Sequence, residues 1–373
     1  MVKNMSLSKS IQERNYGIDL LRIIAMIYVV ILHTLGAGGI LDNLEIGTHK
    51  YMVAWFLEIF AFCAVDVFAL ITGYISYRKN DRKNLLQNYI KLWLQVVFYC
   101  LVITLCFHIF IPLMVTKRTY LYSFLPVLTN QYWYFTAYTG IVLFMPIVDI
   151  GLRKIKDNDA KKIFILLIIL FTGFAIVNDR FGLNGGYTVI WLLILYLLGG
   201  IIKKCNLFEK IKSKYILMIM LLSFIITYLF FILNIKYTIA EINITSIFSV
   251  SYISPTILII SIGYLCIFSR IRINERIKKI IKFFSPATFS IYLLNSNHLI
   301  SEYFLRNKFI FMRDYRTIIM AIMVVVFSLT FSLVAMMIDK VRIVVFKKLK
   351  MELFTEKISN CIIKAGEKII NKI

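Results

Sequence analysis

The stretch "RNYGIDLLRIIAMIYVVILHTLG", residues 14–36, decides the fold class of this chain. It contains an apolar run long enough to cross a membrane as a helix, which takes about 20 residues. Asp19, Arg22 and His33 nevertheless lie inside that run. An ionisable group in hydrocarbon costs roughly 2.5–3.5 kcal/mol on insertion scales. These three side chains therefore need a structural or a functional reason.

Apolar runs of similar length recur along the 373 residues, of which 60% are hydrophobic and 17% are charged. Backbone polar groups in lipid must be satisfied within each segment, and the runs lack the strict alternation of a membrane β-barrel. The pattern therefore predicts an all-α, polytopic integral membrane protein with about ten transmembrane helices. The predicted spans are residues 18–40, 51–76, 85–111, 132–150, 162–178, 187–202, 215–235, 246–269, 283–301 and 317–338.

The charge of the chain is explained by topology. The net charge is +23, from 43 Lys and Arg against 20 Asp and Glu. Most of these basic residues fall in tails and loops on one side of the predicted spans, as the positive-inside rule requires. Both termini are therefore predicted to be cytoplasmic, and no nucleic-acid partner is predicted. The six cysteines form no C-x-x-C pair and no metal-ligand spacing, so neither a metal nor a bound cofactor is predicted.

The chain divides into a transmembrane domain, residues 1–338, and a basic tail, residues 339–373. In the tail, "ELFTEKISNCIIKAGEKIINKI" places apolar residues at helical spacing with Lys on the other face. This pattern predicts an amphipathic helix on the inner membrane surface, where anionic lipids attract it. A disordered tail is the alternative. The bias toward Ile, Lys and Asn is typical of an AT-rich bacterial genome, so the predicted location is a bacterial plasma membrane.

Arg22 and His33 share one face of the first predicted helix. Their separation of eleven residues is three turns plus roughly 20°. Asp19 precedes Arg22 by three residues and is placed to pair with it. One face therefore carries a cation toward the cytosol and a titratable group toward the outer side. The alternative is a snorkelling arginine with a histidine that only hydrogen-bonds a neighbouring helix.

His298 lies at the same predicted depth in the ninth span as His33 does in the first. Asn295 and Asn297 accompany it in the sequence "NSNH". Two histidines and two amides at matching depth indicate a shared polar cavity in the outer half of the membrane. Alternatively, the same four residues cap the outer end of the ninth helix.

Two carboxylates, Glu58 and Asp66, fall in the second predicted span. They are separated by eight residues and lie about 80° apart around the helix, so they need not share one partner. Carboxylates at this depth usually face the bundle and pair with a cation. Structural pairing with Lys91 or Arg22 is the default interpretation, and contact with a substrate is the alternative.

The aromatic residues Trp133 and Tyr134 open the fourth predicted span from the outside. An aromatic belt at the membrane interface explains them most simply. Stacking on a sugar ring is the second interpretation, because the two rings stand beside the polar side chain of Gln131.

Four segments, taken in order, resemble the membrane-bound acyltransferase family 3. Residues 18–33, "IDLLRIIAMIYVVILH", resemble its first helix, in which Arg is followed by ten residues and then His. "VDVFALITGYISY" resembles its "FF…SGY" segment, "QYWYFTAYTGIVLFMPIV" its "WYL…LY…P" span and "SPATFSIYLLNSNHLI" its "S…TFGIYLLH" segment. The departures are Thr72 in place of Ser, Asn295 in place of the last His, and Lys91 followed by Gln95 where the family often has a basic cluster.

This resemblance implies an acyl-CoA-dependent O-acyltransferase, commonly an O-acetyltransferase. Its donor substrate would be acetyl-CoA or another acyl-CoA, and its acceptor a hydroxyl of a surface polysaccharide such as capsule, or of a lipid-linked sugar. The resemblance assigns catalysis to His33 and Arg22, and the CoA phosphates to Arg22 and Lys91. His33 would act as a general base or as a covalent acyl carrier. The acceptor-binding candidates are Trp133, Tyr134, Asn295, His298, Glu58 and Asp66.

Two other functions fit the same polar residues. A transporter or flippase of a lipid-linked sugar would use the polar cavity for passage. A membrane subunit would instead relay acyl groups to a separate transferase. The sequence contains no internal repeat of the kind that marks many transporters, which favours the enzyme.

Overall fold

The computed structural model describes residues 14–77, 82–174, 179, 181–239 and 250–370. It is 81% helical, and its described residues form no β-strand. The α-helices are α1 (Tyr16–Leu35), α2 (His49–Ala61), α3 (Ala64–Ser76), α4 (Arg82–Phe110), α5 (Lys117–Phe124), α6 (Trp133–Lys154), α7 (Asp157–Ile168), α8 (Val189–Lys204), α9 (Ser213–Ile239), α10 (Pro255–Phe268), α11 (Glu275–Phe284), α12 (Phe289–Asn295), α13 (His298–Ile300), α14 (Thr317–Lys348) and α15 (Met351–Ile370). We call the end of the bundle where α1 begins the Arg22 end, and the opposite end the His33 end.

Six segments of the described chain are long and apolar enough to cross a membrane. They are Tyr16–Leu35, His49–Ser76, Leu85–Phe110, Trp133–Lys154, Ser213–Lys236 and Thr317–Lys348. The structure therefore confirms an all-helical, multi-pass membrane protein. The count of about ten spans and the cytoplasmic placement of the termini stay predictions. Parts of the predicted fifth and eighth spans (175–178 and 246–249), the start of the predicted transmembrane domain (1–13) and the last residues of the tail (371–373) lie outside the described residues.

The predicted ninth span is not one continuous helix. A 3-10 turn over Ser285–Ala287 separates α11 from α12, and it contains Pro286, which has no backbone donor. A second break follows Asn295, because the Asn297 side chain accepts hydrogen bonds from Leu299 N (3.0 Å) and Ile300 N (3.4 Å) and so begins a new helix. The prediction of one continuous helix from residue 283 to residue 301 was wrong for these two local reasons, and a membrane span over these residues stays a prediction.

Close helix packing holds the centre of the bundle, where α1 contacts α3, α10, α12 and α14. The tightest approach joins α3 to α8 through glycines on both helices. A Cβ atom on Gly73 would stand 1.8 Å from Tyr196 O, and one on Gly199 would stand 2.1 Å from Leu70 O. Small residues of this kind let the backbones of membrane helices meet. Many apolar side chains of α9 and α14 point away from this core and suit a lipid environment.

The last long helix, α14, continues to Lys348, beyond the predicted end of the tenth span at residue 338. After one break the chain forms α15 in the tail, where the amphipathic pattern predicted a helix. This helix packs against α4 and α14. Its contact with a membrane surface stays a prediction.

Candidate active site

The first turn of α1 builds an ionic cluster at the Arg22 end. Asn15 caps the helix by accepting a hydrogen bond from Ile18 N at 3.1 Å. The buried carboxylate of Asp19 accepts one hydrogen bond from Arg14 Nε at 2.5 Å and one from Arg22 Nη1 at 3.4 Å. The pairing of Asp19 with Arg22 is therefore confirmed. The carboxylate fixes the direction of the Arg22 side chain and offsets part of the cost of its charge.

Arg22 lines a cavity of about 310 Å³, which we call the Arg22 cavity. Polar groups contributed by α3, α4, α6 and the chain before α12 surround it. They are Thr72, Gln95, Tyr138, Ser285 and Thr288. A guanidinium among hydroxyl and amide groups is suited to binding an anionic or carbonyl oxygen.

His33 lies near the other end of α1 and lines a second cavity of about 160 Å³, the His33 cavity. Glu58 reaches this cavity from α2, and Trp133 and Tyr134 reach it from α6. Three further tyrosines complete an aromatic lining: Tyr187, Tyr252 and Tyr292. The cavity therefore combines one imidazole and one carboxyl group with flat rings of the type that stack on sugars.

A hydrogen bond between His33 Nδ1 and Asn295 Oδ1 joins α1 to α12. Because an amide oxygen accepts a hydrogen bond, Nδ1 of this pair carries the proton. The other ring nitrogen, Nε2, is then unprotonated in the neutral imidazole and is able to accept a proton. This arrangement is the one that a general base or a nucleophile requires.

The two cavities adjoin each other. Met26, Phe68 and Tyr134 line both of them, so these three side chains form the wall between the cavities. The backbone N–H of Tyr134 donates to Tyr292 Oη at 3.2 Å, which ties the wall to α12. One helix, α1, thus connects a cation at one end to an imidazole at the other, along two neighbouring cavities.

Polar atoms around His33 lack hydrogen-bond partners within the described part of the chain. They are Glu58 Oε2 and Asn295 Nδ2, both of them buried. A buried polar group without a partner costs about 1–3 kcal/mol, so its retention calls for an explanation in a ligand or in water. These atoms supply both a donor and an acceptor beside the imidazole.

Comparison with known families agrees with this geometry. Residues 15–337 match the acyltransferase family 3 model, which is described as an acyltransferase domain. The chain belongs to acyltransferase family 3. In the same comparisons no curated protein and no solved structure matched it. Together with the six apolar helices, the family match makes the chain a multi-pass membrane acyltransferase.

The carboxylates of the acyltransferase's second predicted span do not have the partners that the sequence predicted. Asp66 is fully buried and accepts a hydrogen bond from Trp191 Nε1 at 3.0 Å. It lines neither the Arg22 cavity nor the His33 cavity, so the structure does not support its assignment to the acceptor site. Pairing of Glu58 or Asp66 with Lys91 or Arg22 was also wrong, because both cations bind other carboxylates.

His298 does not share the His33 cavity. It lines a third cavity of about 380 Å³ together with Asn297 and Arg118, and we call it the Arg118 cavity. The helix break after Asn295 redirects the chain, so a depth counted along one straight helix did not apply. Asn297 caps the start of the next helix rather than the outer end of the ninth, and Asn295 alone of this group bonds His33.

Lys91 lies outside the Arg22 cavity but close to it. Its Nζ binds Glu352 Oε1 of α15 at 2.8 Å, and this hydrogen bond lowers the pKa of Glu352. Lys91 lines a fourth cavity of about 380 Å³, the Lys91 cavity, together with Arg342 and Lys347. Leu92 and Gln95 line both this cavity and the Arg22 cavity.

Sequence reasoning missed one buried ionic group of the acyltransferase. Asp339 is fully buried and accepts hydrogen bonds from Arg342 Nε at 2.6 Å and Arg342 Nη2 at 2.8 Å. Tyr99 Oη donates to it at 2.8 Å and Gln95 Nε2 at 3.4 Å. The prediction placed Asp339 in the tail. An aspartate three residues before an arginine, directly after an apolar run, was the available signal.

Proposed function

We propose that the chain is an O-acyltransferase that moves an acyl group, acetyl in the first instance, from acyl-CoA to a hydroxyl of a surface polysaccharide or lipid-linked sugar. The observation that carries this proposal is the placement of Arg22 and His33 in adjoining cavities on one helix. A donor bound at the Arg22 end would extend its thioester between Met26, Phe68 and Tyr134 to the boundary of the His33 cavity. An acceptor in the His33 cavity approaches the same wall from the other side.

The donor belongs at the Arg22 end. The positive-inside distribution of charge supports a cytoplasmic location for this end, where acyl-CoA is available. Arg22 would bind an oxygen of the donor in the Arg22 cavity. Lys91 and Lys347, which line the neighbouring Lys91 cavity, would bind phosphate oxygens of the CoA moiety.

The acceptor belongs in the His33 cavity. Nε2 of His33 takes the proton from the acceptor hydroxyl while that oxygen attacks the thioester carbonyl carbon. The carbon–sulfur bond then breaks, and the leaving thiolate takes the proton back to give CoA as a free thiol. The unpaired Nδ2 of Asn295 is a suitable donor to the oxyanion that forms on the way. Trp133 and Tyr134 hold the sugar ring.

Glu58 completes the acceptor contacts in this proposal. Its unpaired Oε2 is available to accept a hydrogen bond from a second hydroxyl of the sugar. An N-acylimidazole on His33 Nε2 is the other route to the same product: the unprotonated nitrogen attacks the thioester and releases CoA, and the acceptor hydroxyl then displaces the imidazole. Rapid quenching of the protein after mixing with radiolabelled acetyl-CoA distinguishes the routes: label attached to the wild-type chain but not to His33→Ala supports the covalent route.

Proton NMR of the host's surface polysaccharide tests the reaction class. The strains to compare are a deletion, a wild-type complement and a His33→Ala complement at matched protein levels. We expect O-acetyl signals to vanish in the deletion and to return only with the wild-type chain. A polysaccharide that keeps its acyl groups but falls in amount would favour the flippase. Acyl transfer by the purified chain alone would exclude an obligatory separate transferase.

A further inference from the structure

We propose that the Arg118 cavity is a second acceptor subsite that binds an anionic sugar unit, adjacent to the unit that is acylated at His33. The inference rests on the proposed function, because it assigns the cavity to the same acceptor glycan and specifies its chemical class. The cavity measures about 380 Å³ and lies between α4, α5 and the chain that follows α12.

The Arg118 cavity and the His33 cavity are lined by the two chain neighbours of one buried residue, Tyr132. Gln131 lines the Arg118 cavity and Trp133 lines the His33 cavity, although they are neighbours of the same residue in the chain. Tyr132 Oη donates to Leu293 O at 2.9 Å and accepts from Asn297 Nδ2 at 3.1 Å. In this proposal a glycan that extends from the His33 cavity past residues 131–133 enters the Arg118 cavity.

The same relation holds on the broken helix opposite. Asn295 bonds His33, and Asn297, two residues later, lines the Arg118 cavity. The two cavities are thus held in fixed register by two short segments of chain. This is the arrangement expected of neighbouring subsites for one extended ligand.

Hydroxyl and amide groups give the cavity the chemistry of a sugar site. The buried hydroxyls of Thr104 and Ser123 are hydrogen bonded to each other at 2.8 Å, and Ser123 Oγ also donates to Thr119 O at 2.9 Å. Both oxygens keep lone pairs for a ligand hydroxyl. The side-chain amide of Gln131 has no hydrogen-bond partner within the described ranges, so its two N–H donors are available.

The charge of the cavity favours an anion. The Arg118 guanidinium lies over the Tyr122 ring, 5.1 Å from its centroid, and no carboxylate of the described chain lies within 4.0 Å of it. The acidic lining residue, Glu302, is already paired with Arg306 at 3.1 Å. Arg118 therefore presents an uncompensated fork of N–H donors, which suits the carboxylate of a uronic acid or a sugar-linked phosphate.

Calorimetric titration of the purified full-length protein tests the subsite. The probes are a glucuronate-containing tetrasaccharide, an oligomer of glycerol phosphate and a neutral glucose tetrasaccharide. We expect at least one anionic probe to bind more tightly than the neutral one. Arg118→Gln should weaken that binding about tenfold or more, because a hydrogen bond to a charged group is lost, and Arg118→Lys should restore part of it.

Lys117→Gln is the matched control. Lys117 precedes Arg118 on the same helix and carries the same charge, but it does not line the cavity. We expect it to bind every probe as the wild type does. Equal loss in both variants would show a general effect of surface charge and would overturn the subsite. Unchanged binding by an Arg118→Gln protein that melts at the wild-type temperature would also overturn it.

Two further experiments are needed. One distinguishes a lipid ligand from a glycan ligand, and the other tests the subsite independently of the proposed function. Two results together would identify a lipid site and overturn the proposal. The soluble probes would fail to bind the protein in detergent, and in nanodiscs phosphatidylglycerol would block probe binding whereas phosphatidylcholine would not. Acyl-CoA turnover is measured separately on the wild-type chain. A chain that binds the anionic probe but never consumes acyl-CoA would refute the proposed function and leave the anion site standing.

Discussion

His33 and Asn295 are hydrogen bonded to each other although 262 positions separate them in the chain. The contact joins the far end of α1 to the last residue of α12, and it fixes the imidazole with its proton on Nδ1. Asn295 stands where the family segment "S…TFGIYLLH" has its His. An amide at this point orients the ring by accepting a hydrogen bond and cannot itself exchange protons at neutral pH.

The first prediction concerns this pair. We expect His33→Ala to lower acyl transfer by about 10²–10⁴-fold, the usual contribution of general base catalysis. Asn295→Ala should also lower transfer, by about 10²–10³-fold, because it removes the proposed oxyanion donor and releases the orientation of the base. Acetyl transfer from radiolabelled acetyl-CoA to the host glycan measures both. The exposed His108 gives a control, His108→Ala, that should retain activity; wild-type transfer by His33→Ala would remove its catalytic assignment.

The second prediction separates the two arginines that share Asp19. Arg22 lines the Arg22 cavity, whereas Arg14 binds the same carboxylate without lining it. We expect Arg22→Ala to raise the KM for acyl-CoA about tenfold or more, since a charge-assisted contact is lost. Arg14→Ala should have a much smaller effect. Equal changes in the two variants would show that the ion pair acts through the stability of α1 alone.

Much of the fold followed from the sequence because lipid imposes a simple rule on it. Long apolar runs give helices, so α1, α4, α6, α9 and α14 lie where the runs predicted them. The ninth span departed from the rule. Its breaks depend on one proline and one capping asparagine, whose local effects overrode the apolar pattern.

The candidate site was only partly predictable for a related reason. Positions along one helix follow from its periodicity, so Asp19, Arg22 and His33 were placed correctly relative to one another. Contacts between helices depend on packing that the sequence does not encode locally. The partners of Asp66 and Lys91, which come from α8 and α15, were therefore missed.

The third prediction concerns the wall between the cavities. Phe68 lines both cavities, and Phe62 lines only the His33 cavity. Phe68→Ala should join the cavities and admit water to the thioester. We expect acyl-CoA hydrolysis without acceptor to rise severalfold, as measured by thiol release. Phe62→Ala removes a ring of the same size without opening the wall and should not raise hydrolysis; equal rates in the two variants would contradict a barrier at Phe68.

The fourth prediction concerns the buried pair of Asp339 and Arg342. Removal of one partner leaves an uncompensated charge, which typically costs about 3–5 kcal/mol. We expect Arg342→Met to lower the melting temperature strongly, and Asp339→Leu combined with Arg342→Met to recover part of the loss. Thermal unfolding followed by intrinsic fluorescence measures this. Asp314→Asn, at an exposed pair with Arg313, should leave the melting temperature nearly unchanged.

The fifth prediction links α15 to pH through Glu352. Its pKa is lowered by the hydrogen bond from Lys91, so the contact contributes to docking above the usual glutamate pKa of about 4.3. Docking then weakens as the pH falls through the lowered pKa. Anisotropy of a dye on Cys361, in a Cys106→Ser background, should fall at acidic pH. Glu352→Gln should show the low value already at neutral pH, because its amide carries no charge for Lys91 to bind.

The same contact bears on the donor. Glu352 binds the ammonium group of Lys91, and the proposed function assigns the same group to a CoA phosphate. The Glu352 carboxylate and the CoA phosphate therefore compete for Lys91. We expect Glu352→Gln to lower the KM for acyl-CoA and Lys91→Gln to raise it. Glu356→Gln, one turn further along α15, removes an equal charge away from Lys91 and should leave the KM unchanged. A rise in KM in Glu352→Gln would instead show that docking of α15 helps to form the donor site.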